Sequence, residues 1–260
     1  QPALAAGTRL GARHVALLAS LGMDSARVRS APRISVFSTG DELRAPGMPL
    51  AKGQIHDSNG AMLAAQTGAA ACTLARQGHL EDRPDEQLAA LRQAAADSDI
   101  IVTAGGVSMG EADYLPRLLN AHGRIHFWRV RMKPGLPVLF GEMDNCLVVG
   151  LPGNPVSAAV GFHVLVRHLL QAIEAATPRP RLNARLRSGI RKHHWRAEFV
   201  RGRLHADAQA GLWFEAHAQQ GSAQLLGLAA SDCLALLDEN MHDPEAGTVC
   251  RVWPLDGALA

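Results

Sequence analysis

The chain has 260 residues, 26 Lys and Arg against 24 Asp and Glu, and a formal net charge of +2. That balance, with Arg scattered along the chain, excludes a general nucleic-acid binder, which carries a basic stripe. Apolar residues make up 47% and charged residues 19%, as in an ordinary globular interior, and the length suits one large or two modest domains.

The chain opens on Gln1 and not Met, so we expect a piece of a longer or processed protein. Its start lacks the apolar core of a secretion signal, and its apolar runs fall short of the ~20 residues that span a bilayer, so no membrane partner is expected. Cys72, Cys146, Cys233 and Cys250 lie far apart with no Cys-x-x-Cys pair. They read as buried reduced thiols of a cytoplasmic protein.

Residues 1–30 read as a loose start and one helix, His14 to Leu21, closed by Gly22. From residue 33 strands and helices alternate. A strand at Ile34 to Ser38 leads into a Thr39-Gly40 turn. A helix at Ser58 to Gly68 is capped by Asp57 or Ser58. A strand at Ala71 to Gln77 precedes a helix at Pro84 to Ala96, with Pro where a missing N–H costs nothing. A buried strand, Asp99 to Thr103, ends in Gly105-Gly106, and a helix runs from Asp113 to Ala121. Strands at Ile125 to Arg131, Pro137 to Phe140 and Cys146 to Val149 precede a long apolar helix, Pro155 to Ala175. This order predicts a mostly parallel sheet with helices on both faces.

Thr177-Pro178-Arg179-Pro180-Arg181 reads as a linker. After it come short predicted strands at Ala184 to Ile190, Glu198 to His205, Trp213 to Ala218, Cys233 to Leu237 and Thr248 to Trp253, with a helical turn at Leu225 to Ala230. They imply a small, mostly β domain of about 80 residues.

Four motifs carry chemistry. Asp41 and Glu42 follow the first strand and its Thr39-Gly40 turn, at the sheet edge where open α/β sheets bind ligands. Two carboxylates there can hold a hard cation, or simply turn and cap the chain. Gly105-Gly106-Val107-Ser108-Met109-Gly110 also follows a strand; its glycines let backbone N–H groups approach an anion, and Asp113 beside it suits Mg²⁺ bridging carboxylate and phosphate. On a continuous strand Arg129, Arg131 and Lys133 would share one face and attract a polyanion, or form a charged edge. Pro152, Gly153, Asn154 and Pro155 fix an unusual turn that opens the long helix. The glycine loop also fits Gly-x-Ser-x-Gly, the serine hydrolase elbow, with Ser108 as nucleophile and Asp144 and His163 as candidate partners; the helix would start too late for that reading.

In this order, Ser-Thr-Gly-Asp-Glu-Leu at 38–43, Gly-Gly-Val-Ser-Met-Gly-Glu-Ala-Asp-Tyr at 105–114, Met-Lys-Pro-Gly at 132–135 and Gly-Leu-Pro-Gly-Asn-Pro-Val-Ser-Ala at 150–158 resemble the molybdopterin molybdenumtransferase family, which includes the C-terminal domain of gephyrin. The resemblance covers residues 4–255. It implies an end segment over 1–30, a three-layer α/β/α molybdopterin-binding domain over 31–177 and a β-barrel domain over 178–260. It implies insertion of molybdate into adenylylated molybdopterin with release of AMP. Mg²⁺ would be held through Asp113 and Asp41, and Asp41, Glu42, Asp113 and Lys133 would act in catalysis. Thr39, Gly40, Gly105, Gly106, Ser108, Gly110, Arg129, Pro152, Gly153, Asn154 and Pro155 would bind the cofactor precursor. Leu136 stands where the family often has a second Lys. The family's two N-terminal domains are absent from this stretch; they build a homodimer whose cleft takes residues from the partner subunit. Contacts with molybdopterin adenylyltransferase and recipient molybdoenzymes are implied partners. A non-catalytic binding or scaffold module of the same fold is the alternative.

Overall fold

In the computed structural model, which describes residues 3–108, 110, 113–175, 182–209 and 211–255, the central strand of the first unit is buried on both sides. Ile100, Ile101 and Val102 of β5 (Ile100–Ala104) have no exposed surface, which is what a strand between two helical layers requires. β5 lies between β1 (Arg33–Thr39) and β9 (Cys146–Leu151), both parallel to it. β4 (Thr73–Leu80) extends the parallel set beyond β1. β8 (Leu139–Met143) and β6 (Arg124–Trp128) complete the six-stranded sheet on the other side, with β8 antiparallel to both its neighbours.

Alternation along the strands divides the core. Ile34, Ile100, Val102 and Val149 face Leu63 and Phe162, on the side of α2 (Ser58–Ala69) and the helix Pro155–Glu174. Ile101 and Val148 face Leu91 and Leu119, on the side of α3 (Pro84–Asp97) and α4 (Leu115–His122). The helix Pro155–Glu174 consists of α5 (Pro155–Gly161), a π-helical turn (Phe162–Val166) and α6 (Arg167–Glu174). It has the length and apolarity to cross a bilayer, but Val156, Phe162, Val166 and Leu170 are buried within the core clusters. The first helix, α1 (Ala12–Ser20), buries none of its residues.

The second unit closes on itself. β10 (Leu182–Leu186), β14 (Val249–Pro254), β13 (Cys233–Leu237), β11 (Ala197–Ala206) and β12 (Leu212–Ala216) follow one another around a five-stranded barrel that β12 closes by pairing with both β10 and β11. Leu186, Phe214, Cys233, Ala235, Leu237 and Cys250 fill it. Cys146, Cys233 and Cys250 are buried free thiols and Cys72 is half-buried.

Several expectations need correction. The helix expected from Asp113 starts at Leu115, with Tyr114 at its cap position. The strand expected to end at Gln77 runs on to Leu80. The strand expected from Ile125 to Arg131 stops at Trp128, because Arg129 turns the backbone to φ +71° and its N–H bonds Val138 instead. The chain then forms β7 (Met132–Lys133), which leaves the first sheet and pairs with β11 of the barrel. Arg129, Arg131 and Lys133 therefore do not share one strand face. The predicted linker at 177–181, with Arg179 and Arg181, lies outside the described residues, as do Met109, Glu111 and Ala112.

Candidate functional site

The parallel strands β1, β4, β5 and β9 all present their carboxyl ends to one edge, so the loops that follow them meet there. They enclose a cleft of about 630 Å³. Thr39 is the last residue of β1, Gly40 and Glu42 come from the loop after it, Asp82 from that after β4, and Gly105, Gly106, Ser108 and Asp113 from that after β5. Pro152, Gly153, Asn154 and Pro155 come from the loop after β9, and Asp57, Ser58 and Asn59 from the start of α2. Three of the four motifs thus converge. Gly105 and Gly106 have φ of +102° and +68°, and a Cβ on Gly105 would lie 2.4 Å from the Thr39 hydroxyl, so only glycine lets these two loops touch.

Hydrogen bonds position three of the carboxylates, Asp113, Asp41 and Asp57. The Gly110 N–H donates to Asp113 Oδ2 at 2.7 Å, and the Asp82 N–H to Asp41 Oδ1 at 3.0 Å. Asp57 caps α2 by accepting from the Gly60 N–H at 2.9 Å and takes a second bond from the buried Ser38 hydroxyl at 2.6 Å. Burial, then the neighbouring charges of Asp41, Glu42 and Asp113, raise the Asp82 carboxyl above the usual carboxylate range, against a backbone hydrogen bond from Asp41 that works the other way. Among the described residues lining the cleft, none is Lys or Arg.

The barrel adds one wall. The Arg201 guanidinium is 1% exposed and donates to the carbonyls of Gln219 at 2.7 Å and Gly221 at 3.2 Å. It holds the loop whose Ala223 lines the cleft. Ser222 ties that loop to the other domain: its carbonyl accepts from the Val156 N–H at 3.1 Å, and its hydroxyl meets Asn154 Nδ2 at 3.1 Å.

The fourth motif stands apart. Lys133 Nζ pairs with Glu198 Oε1 at 2.9 Å, Arg131 pairs with Glu239 at 3.3 Å, and Arg129 lies over the Trp128 ring at 5.8 Å. Lys133, Arg129, Asp41 and Gly110 are not among the residues that line the cleft.

Comparison with known proteins bears on this arrangement. Residues 35–172 match the model of a "Probable molybdopterin binding domain", and residues 183–255 that of the "MoeA C-terminal region (domain IV)". The chain belongs to the molybdopterin molybdenumtransferase family. It is 32% identical over 256 residues to a molybdopterin molybdenumtransferase of Haemophilus influenzae, covering 97% of this chain and 63% of that protein. Gephyrin of Dictyostelium discoideum is 30% identical over 282 residues, covering 94% of this chain and 39% of that protein. A molybdopterin biosynthesis MoeA protein of Pyrococcus horikoshii superposes with a TM-score of 0.82 at 26% identity, over 97% of this chain and 61% of that one. The chain thus spans less than two thirds of the length of these family members.

Within this molybdenumtransferase fold the serine hydrolase reading loses its partners. Asp144 sits in the β8–β9 turn, at the opposite end of β9 from the cleft, and pairs with Arg92 at 3.8 Å. His163 is buried in the helix Pro155–Glu174, where burial holds its pKa down at about 4. Sequence reasoning missed Asp82 and Asn59. Asp82 was hidden because β4 was ended three residues early; carried on to Leu80, the same strand-end rule points to it.

Proposed function

We propose that the cleft takes adenylylated molybdopterin, and that in the longer protein molybdate is joined to the dithiolene as AMP leaves. The observation that supports this reading is the convergence of phosphate-cradling glycine loops on a cleft walled by Glu42, Asp57, Asp82 and Asp113, with no Lys or Arg among its described lining residues. Such a wall repels a bare anion and accepts a pyrophosphate that arrives with a divalent cation.

The residues fit Mg²⁺ in that role. Burial first, and then the charges of Asp41, Glu42 and Asp113, raise the Asp82 carboxyl, and a cation would offset the charge part of that shift. Among the described residues no group of three His, Cys, Asp or Glu closes on one point, so the chain would supply one or two carboxylates and leave the other positions to phosphate and water, as Mg²⁺ sites commonly do. Asp113, which lines the cleft, would hold the ion, whereas Asp41 lies outside the lining and would act on it only through Asp82, whose N–H it binds. Bound there, Mg²⁺ would offset charge developing on the AMP phosphate.

The chain's own groups do the positioning. The Gly105 N–H is held by the Leu151 carbonyl at 2.9 Å, which leaves the Gly106 N–H to face the pyrophosphate, and the α2 end at Ser58 adds positive potential. Asn154 and Ser222 hold the proline loop against the barrel, which closes the cleft on that side. Arg129, in the turn beyond Trp128, and Lys133, in β7, lie outside the cleft lining and would attract molybdate and the pterin phosphate only at longer range. In the full-length protein, Asp113→Ala is expected to cut molybdate-dependent AMP release at least about a hundredfold. Near wild-type release would contradict the role given to Asp113.

A further inference from the structure

Asn59 stands in the first turn of α2, where the helix end meets the cleft, and is 6% exposed. Half of its amide is satisfied and half is not. Nδ2 donates to the Gly153 carbonyl at 2.7 Å, whereas Oδ1, shielded from bulk water, meets no donor among the described residues. The bond to Gly153 settles the amide orientation, because the flipped amide would set two acceptors against each other. A buried acceptor with no donor costs free energy, and its position in a ligand cleft points to a partner outside the protein.

The surroundings narrow that partner. Phosphate oxygens are acceptors themselves and cannot complete Oδ1. Gly153, which Asn59 holds, lies against the first glycine of the phosphate loop: a Cβ on it would be 3.7 Å from Gly105 Cα. The free acceptor therefore sits beside the two loops that take the phosphates, where the sugar of a nucleotide follows. At the strand edge of open α/β sheets a side-chain acceptor commonly reads ribose hydroxyls. We propose that Asn59 Oδ1 accepts a hydrogen bond from a ribose hydroxyl of the nucleotide bound in the cleft, an inference that rests on the nucleotide reading given above. Oδ1 is buried, so meeting the sugar requires the side chain to turn toward it.

Calorimetric titration of the 260-residue chain with AMP and Mg²⁺, beside 2′-deoxy-AMP and 3′-deoxy-AMP, tests this. For the wild type, one deoxy nucleotide is expected to bind about tenfold more weakly than AMP, the loss that follows one unmade hydrogen bond. Two variants separate reading from anchoring. Asn59→Ala removes both the Gly153 bond and the acceptor. Asn59→Asp removes the bond to Gly153 but keeps an acceptor oxygen. With melting curves confirming that both are folded, the Ala variant is expected to bind AMP and the deoxy nucleotide alike. The Asp variant keeps the discrimination at a lower overall affinity. Equal binding of all three nucleotides by the wild type, undiminished discrimination in Asn59→Ala, or its loss from both variants would each overturn the assignment and leave the nucleotide site standing. Failure of the wild type to bind AMP at all would overturn the nucleotide reading and this inference together.

Discussion

Lys133 Nζ lies 2.9 Å from Glu198 Oε1, and the same two residues are register partners where β7 of the first domain joins β11 of the barrel. Glu198 is 7% exposed, and His194 Nε2 approaches its other oxygen at 3.0 Å. A buried carboxylate left without its cation is costly, whereas a pair with one exposed partner contributes less than a fully buried one. Lys133→Met is expected to lower unfolding stability by about 1–3 kcal/mol. Urea titration followed by Trp fluorescence reads it, and an unchanged midpoint would show that the pair does not hold the domains together.

His163 gives the chain an acid limit. Burial, chiefly, and the nearby Arg167 charge lower its pKa to about 4 from 6.5. A histidine with a depressed folded pKa contributes stability above its unfolded pKa and loses it as pH falls through the folded one. Stability should therefore decline between about pH 6.5 and 4, and His163→Gln should flatten that decline. The difference is at most about 3 kcal/mol at the acid end. Melting temperatures of the two chains across that range check the prediction; parallel curves would contradict it.

Asp82 has the opposite sign. Its folded pKa is raised, so its ionised form, present at neutral pH, weighs against folding. Asp82→Asn is expected to raise the melting temperature at pH 7 by ~1–2 °C, with the gain fading as pH falls into the carboxylate range. Ligand binding should weaken at the same time, because a cleft carboxylate is lost. A lower melting temperature at pH 7 would show that Asp82 is a structural partner and not a strained cleft group.

Gly105→Ala tests the contact between the first two loops. The new methyl would meet the Thr39 hydroxyl at 2.4 Å and its carbonyl at 2.9 Å, at a φ of +102° that L residues rarely adopt. The loops must separate, so nucleotide affinity should fall at least about tenfold while the barrel is untouched. Unchanged affinity would mean that the ligand does not depend on this contact.

Much of this was legible in the chain. The buried strand expected at Asp99 to Thr103 is β5, of the two expected caps Asp57 is the one that caps α2, and the glycine and proline loops announced themselves by composition. What escaped was set by distant partners. Met132 and Lys133 form a strand only because Ala197 and Glu198 pair with them across the domain boundary, and nothing local signals it. Arg129 breaks the cationic stripe through a single backbone angle. Asn59 looked like an ordinary residue of a helix start until its amide was seen bound to Gly153, which lies 94 residues further along the chain.

We propose that the carboxylate-walled cleft of this chain takes adenylylated molybdopterin together with a divalent cation. Calorimetric titration with that ligand, with and without Mg²⁺, tests it most directly. Micromolar or tighter binding, about −8 kcal/mol or better, that depends on Mg²⁺ is the predicted result. Binding of equal strength without any divalent cation, or none by a folded sample in its presence, would contradict it.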